Sequence, residues 1–382
     1  MKIAFNFEGF YFTWHGGLNY YRNLFKAIRA TGQCEIVLFG GLKQSEDIRK
    51  NFPDQPLIAL SMLDRRSLAW TRRAIVRKLS QCDLLLESAL IANSVDVLSH
   101  SNPLGRRSRI PCAAWIADFQ HVFLPHLFSK NELAVRDSGM RFACANADLV
   151  FVSSQASARD LLTFWAKDGL NISVLPFALP QLELDGLPTK DELLAKYKLE
   201  ENFLYAPNQF WAHKNHVAIV EAAKILKSRG AALPMFVFSG AMEDYRDNGY
   251  SNRVVDLVCE AGLEERFKFL KVIPYKDVLG LMLHTRALVN PSLFEGWSTT
   301  VEEAKMMGQA MFLSNLPVHI EQTQTQEQTW LFDPGKPAEL ADLIQEELEF
   351  CRRQPPPPQL IEREFKHFGN AYLNAIGKLT AR

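Results

Sequence analysis

Residues 290–305, NPSLFEGWSTTVEEAK, hold two glutamates eight positions apart, Glu295 and Glu303, on either side of three hydroxyl residues, Ser298, Thr299 and Thr300. The apolar run ALVNPS that leads into them reads as a buried strand, and VEEAKMMG reads as a helix that ends at Gly308. The pattern is strand, tight turn, helix. A helix start presents unpaired backbone N–H groups and the positive end of the dipole, and so receives phosphate readily. The three hydroxyls can cap that helix and donate to phosphate oxygens, and Gly296 lets the backbone turn sharply. Glu303, about one turn inside, can accept from a ribose diol, as the acidic residue of dinucleotide folds does. Glu295, in the strand-end loop, can accept from sugar hydroxyls or face a positively charged transition state. The same pair also suits a plain reading: a first-turn acid and a solvated loop acid.

A second stretch shifts the balance. APNQFWAHKNH, residues 206–216, also joins a strand (FLYAPN) to a helix (HVAIVEAAKIL). Lys214 stands just before that helix, with His213, Asn215 and His216 beside it. A lysine is a compact charge suited to phosphate.

The elements around these stretches alternate. KIAFNF, EIVLFG, ADLVFVSS and ISVLPF read as strands of the first half, with further apolar runs in CDLLLESAL and IPCAAWIADF and a helix over LNYYRNLFKAIRA. The second half repeats strand and helix from FLYAPN through PMFVFSG, FKFLKVI and ALVNPS to AMFLSN. Continuous apolar strands alternating with helices predict parallel sheets covered on both faces. The fold class expected is α/β, with two doubly wound Rossmann-like domains facing a cleft. The boundaries are residues 1–180, a polar, proline-bearing linker at 181–200, a second domain at 201–355, and a C-terminal helix at 356–382 that packs back on the first domain. QPPPPQ reads as a stiff spacer before that helix.

Composition narrows the class. Formal net charge is zero, which gives no argument for nucleic acid. No apolar run approaches the ~18 residues of a membrane span, and the strand-like start is not a signal peptide. The six cysteines are scattered without a Cys-x-x-Cys pair, which argues against a zinc site or a disulfide framework and for a cytoplasmic setting.

The pairing of NQFWAHKNH with PSLFEGWSTTVEEAKMMG, together with SSQASARDL, LSNLPVHIEQ and FDPG, resembles glycosyltransferase family 4, the retaining GT-B enzymes also known as glycosyl transferases group 1. The resemblance implies a second domain that binds a nucleoside diphosphate sugar, with either UDP or GDP as carrier. Lys214 would neutralise the diphosphate and Glu295 would contact the donor sugar. Residues 298–300 would serve the phosphates, and Glu303 would hold the ribose. Trp297 and Trp211 would shape the pocket. One departure stands out: many members carry an arginine where this chain has Asn208. In the first domain, WHGGLNYYRNL resembles a glycine loop that closes on phosphate or acceptor through Gly16 and Gly17. WIADFQHVFLPHLF places Asp118 and His121 where relatives keep a His-Asp pair, here displaced. His121 would touch the sugar or acceptor, and Asp118 would orient it or take a proton.

The implied activity is transfer of a hexose or deoxyhexose to a glycan or lipid-linked acceptor in bacterial surface polysaccharide synthesis. No Asp-x-Asp motif calls for a metal, and no cofactor beyond the donor is expected. RRSLAWTRRAIVRK and GRRSR carry enough basic residues to meet an anionic membrane at the inner face. The alternatives are an epimerase of the same fold and a non-catalytic nucleotide-sugar binding protein. A nicotinamide oxidoreductase is disfavoured, because no Gly-x-Gly-x-x-Gly follows the first strand.

Overall fold

The structure, a computed structural model, describes residues 1–165, 169–244, 246–247 and 249–380. It divides into two compact units. One comprises Met1–Phe119, Lys130–Pro180 and the chain from Glu362 onward; the other comprises Gln120–Ser129 and Gln181–Ile361.

The first unit holds β1 (Lys2–Asn6), β2 (Glu35–Gly40), β3 (Leu57–Ala59), β4 (Val97–Ser99), β5 (Cys112–Ile116), β6 (Leu149–Val152) and β7 (Ile172–Val174) in the order β3-β2-β1-β4-β5-β6-β7. The second holds β8 (Phe203–Ala206), β9 (Met235–Phe238), β10 (Phe267–Phe269), β11 (Ala287–Asn290), β12 (Met311–Ser314) and β13 (Thr329–Phe332) in the order β10-β9-β8-β11-β12-β13. Every pairing between these strands is parallel. The cause is visible in the strands themselves: LVFV, FLYA and MFVF are buried along their whole length, as strands covered by helices on both faces must be.

Three details differ from the sequence reading. The apolar run in CDLLLESAL is a helix, Leu84–Ala92, whose first turn is capped by the Asp83 carboxylate accepting from the Leu86 N–H. Nine residues with an acidic cap favour helix over strand. The glycine pair is not a loop before a helix. Gly16 and Gly17 lie in the first turn of the helix His15–Ala30, and a Cβ on Gly17 would meet the Trp14 ring at 2.3 Å. The glycine makes room for a tryptophan. The strands β3, β4 and β13 were not singled out in the sequence reading.

Within the first unit, the helix that begins at Pro358 buries Phe368, Tyr372 and Ile376. Gly369 lies so close to the Ala27 carbonyl that a Cβ would come within 2.6 Å of it. The Tyr372 hydroxyl donates to Ser99 Oγ at 2.9 Å. Ser99 Oγ in turn lies 2.9 Å from His100 Nδ1, and Tyr20 Oη lies 2.7 Å from His100 Nε2. Burial pulls His100 down to about 3, so it is a neutral link in a buried polar chain.

Candidate functional site

In the second sheet β8 has β9 on one side and β11 on the other. Strand order reverses there, and ligands of open parallel sheets bind beyond the carboxyl ends of strands at such a switch point. The loop after β8 carries Lys214 and the loop after β11 carries Glu295. The structure brings the two together: Lys214 Nζ donates to Glu295 Oε1 at 2.6 Å, with both side chains largely buried.

Asn215 enforces this meeting. It directly precedes the helix His216–Ser228 in the left-handed region, φ 55°, which asparagine tolerates better than most residues. Its amide donates to the Pro291 and Pro334 carbonyls at 3.1 and 3.0 Å. The Leu293 N–H donates to the His213 carbonyl at 2.7 Å, which stitches the same loops. The Ser292 hydroxyl lies 2.7 Å from both Asn290 Oδ1 and Glu295 Oε1.

The helix Thr299–Met307 begins at this loop. Ser298 is its N-cap, its hydroxyl accepting from the Val301 N–H at 3.4 Å and the Asn290 amide at 3.2 Å. The Ser298 N–H is taken by Gln322 Oε1 at 3.1 Å, while Gln322 Nε2 donates to the Ser298 carbonyl and to Glu302. Ser298 therefore builds the turn. The first-turn N–H groups of Thr299 and Thr300 are those a helix start leaves for an anion. Gly296 is buried in the turn and Trp297 is half-buried next to it.

Glu303, the fifth residue of this helix, is buried, with the Tyr275 hydroxyl donating to Oε1 at 2.6 Å. Burial pushes this carboxyl up to about 7, partly offset by the Tyr275 hydrogen bond. His319 is fully buried and its Nδ1 lies 2.9 Å from the Ser314 carbonyl, which assigns the proton to Nδ1 and leaves Nε2 an acceptor. Burial lowers its basicity and the nearby Glu295 raises it. Ser292, Gln322, Tyr275 and His319 were not singled out from sequence, and Asn215 was noted only as a neighbour of Lys214. A staple, a cap partner or a buried imidazole has no spacing signature, although His319 falls inside the LSNLPVHIEQ stretch.

Asn208 is 5% exposed and its Nδ2 has no hydrogen-bond partner. Its carbonyl presses on Gly240, where a Cβ would come within 2.4 Å at a φ of +143° that only glycine readily adopts. His216 stacks on Phe210 at 4.1 Å, and burial holds it at about 3, a neutral core residue. His213 is likewise pushed down by burial and by Lys214 and Arg246. Arg246 lies over the Trp211 ring at 5.1 Å and is ion-paired to the buried Asp244 at 3.0 Å.

The remaining sequence candidates lie elsewhere. Asp118 belongs to the first unit and pairs with Arg136 at 3.6 Å. His121 sits buried in the short helix Gln120–Phe123, within the second unit. Gly16 and Gly17 belong to the first unit. Among the described residues no group of three or more His, Cys, Asp or Glu could hold a metal.

Chemically, the loops after β8 and β11 offer a cation and a carboxylate in contact, and the helix that follows offers two helix-start amides and a buried acid. Residues 190–351 match the family model described as glycosyl transferases group 1. No curated protein matches the chain by sequence. The fold is similar to that of HepE from Anabaena in complex with UDP and glucose (16% identity, 99% of this chain and 95% of the other, TM-score 0.65). It is similar also to sucrose-phosphate synthase of Thermosynechococcus elongatus (16%, 100% and 95%, TM-score 0.66). A third likeness is to WaaG, a glycosyltransferase involved in lipopolysaccharide biosynthesis (15%, 99% and 98%, TM-score 0.62). The chain thus carries a glycosyl transferases group 1 domain over residues 190–351, and its two parallel sheets have the GT-B fold.

Proposed function

We propose that this glycosyltransferase moves a hexose from a UDP-linked donor, with retention and without a metal, to a glycan or lipid-linked acceptor of a bacterial surface polysaccharide. The observation that carries the reading is the Lys214–Glu295 contact at the switch point of the second sheet, beside the start of the helix that bears Glu303. Lys214 and the Thr299 and Thr300 amides stabilise charge that develops on the leaving diphosphate. Glu303 accepts from the ribose, and Glu295 faces the donor sugar. Asn208 offers its unpartnered amide as a neutral donor where relatives use a cation. UDP with glucose in the Anabaena protein and lipopolysaccharide synthesis for WaaG favour this donor and this setting. All six cysteines are free thiols, which suits the cytoplasm.

A second reading, a nucleotide-sugar binding protein without turnover, is favoured by Asn208 alone. Thermal shift across uridine and guanosine diphosphates and their sugars, with Lys214→Ala as control, tests donor binding. Stabilisation by one base that is lost in the variant supports the site. Release of free sugar from the bound donor then separates transferase from binding protein. No shift with any nucleotide overturns the donor reading.

A further inference from the structure

Arg246, in the second unit, is a buried cation with partners well beyond its counter-ion. Its side chain is 5% exposed and that of Asp244 is 1% exposed. Nε donates to Asp244 Oδ1 at 3.0 Å and Nη2 donates to Oδ2 at 3.3 Å, which pairs the two charges. Charge pairing needs no more than this. A guanidinium, however, is a planar fork with N–H donors on every nitrogen, and this one also reaches two other segments.

One direction leads to the loop that bears Lys214. Nη2 donates to His213 Nδ1 at 3.4 Å, and the guanidinium lies over the Trp211 ring. Arginine has no acceptor, so His213 Nδ1 accepts and the ring proton sits on Nε2. Asp244 Oδ2 takes the Ala212 N–H of the same loop at 3.2 Å. The other direction leads to the stretch Gln120–Ser129, which belongs to the same unit. Nη1 donates to Gln120 Oε1 at 2.8 Å, and the guanidinium lies over the Phe128 ring at 5.6 Å. Within this stretch the His121 ring meets Phe128 edge to face at 6.4 Å. Phe123 stacks at 5.2 Å on Phe294, the neighbour of Glu295. One buried side chain thus touches both the loop of the site's cation and the stretch that carries His121.

We propose that Arg246 is a positioning residue of the donor site: it ties the stretch carrying His121 to the loop carrying Lys214, so that a ligand ordering one orders the other. The tie itself is made of contacts within the second unit, and its ligand rests on the donor reading above. A lysine would serve as counter-ion for Asp244, whereas partners on separate segments call for the rigid fork of an arginine.

The test is amide hydrogen exchange of the full chain with and without UDP. One reporter is the Lys214 N–H, which donates to the Trp211 carbonyl at 2.8 Å. The other is the Leu124 N–H, which donates to the Gln120 carbonyl at 2.8 Å. In the wild type UDP is expected to slow exchange around both. Gln120→Leu keeps the bulk and leaves Asp244 paired while it cuts one arm of the tie. It should speed exchange around Leu124 about tenfold without ligand, and should lose UDP protection there while keeping it around Lys214. Arg246→Lys still pairs Asp244 but lacks the fork. It should melt close to wild type, lose the same protection, and bind UDP about tenfold more weakly by calorimetry. Full UDP affinity and full protection in Arg246→Lys mark a counter-ion only and overturn the proposal. So does unchanged exchange around Leu124 in Gln120→Leu, or UDP protection in the wild type that stops at Lys214. A wild type that UDP protects nowhere overturns the donor reading instead, and exchange around Leu124 in unliganded Gln120→Leu still decides the tie.

Discussion

Glu303→Gln tests the buried electrostatics of the site and its ligand together. In the folded chain this carboxyl is held at about 7 instead of 4.5, mainly by burial, with Tyr275 donating to it. Between those two values the unfolded chain is ionised at this position while the folded chain keeps its proton. The folded state binds more protons there, so stability falls as pH rises through the window. At ~1.4 kcal/mol per pH unit, ionised Glu303 costs the fold about 3 kcal/mol by pH 8. Glutamine keeps an oxygen for Tyr275 and removes the charge. Urea unfolding of both proteins across pH should show their stability difference moving by about 3 kcal/mol in favour of glutamine between pH 4.5 and 8, then levelling. Any fixed cost of the new amide shifts the curve without tilting it. Affinity for a UDP-sugar should behave oppositely, because a ribose diol donates to the ionised acid. The wild type should weaken about tenfold per pH unit below 7, and the variant should bind roughly 10–100-fold more weakly at pH 8. The donor's diphosphate diester does not titrate in this range, so the slope belongs to the protein. A stability difference that is flat with pH refutes the raised acid, and unchanged affinity refutes the ribose role.

Four further outcomes are expected. Tyr275→Phe removes the hydrogen bond that lowers Glu303, so the midpoint of the affinity profile should move to higher pH, read by titration calorimetry. Lys214→Ala leaves Glu295 with the Ser292 hydroxyl and should weaken UDP-sugar binding roughly 10–100-fold by thermal shift or calorimetry. Glu295→Gln keeps the shape of the loop and should lower kcat with little change in UDP affinity, measured by sugar release. Arg73→Met strands the buried Asp83 and should cost about 3–5 kcal/mol in urea unfolding without changing UDP binding per folded molecule.

The legibility of the site followed the physics of each residue. Lys214, Glu295 and Glu303 stood out because strand-end loops and helix starts leave patterns in a single stretch of chain. Tyr275 did not, because a hydroxyl reaches Glu303 across 28 positions only after two helices pack on the sheet. Ser298 was read as able both to cap its helix and to donate to phosphate; it is the cap, held there by Gln322 and Asn290, partners that no local pattern announces. Gly16 and Gly17 read as a flexible loop, yet the Trp14 ring needs that space at a helix start.

By itself, then, the sequence determined most of the alternation of apolar strands and helices, since short apolar runs rich in β-branched and aromatic residues fit strands covered on both faces. It also determined which loops bear a cation or a carboxylate. Tertiary structure alone decided the strand order that makes β8 and β11 neighbours, and hence that Lys214 meets Glu295 across 81 positions. It alone raised Glu303, because the charge on an acid depends on what surrounds it, and that is set only when distant segments close over it.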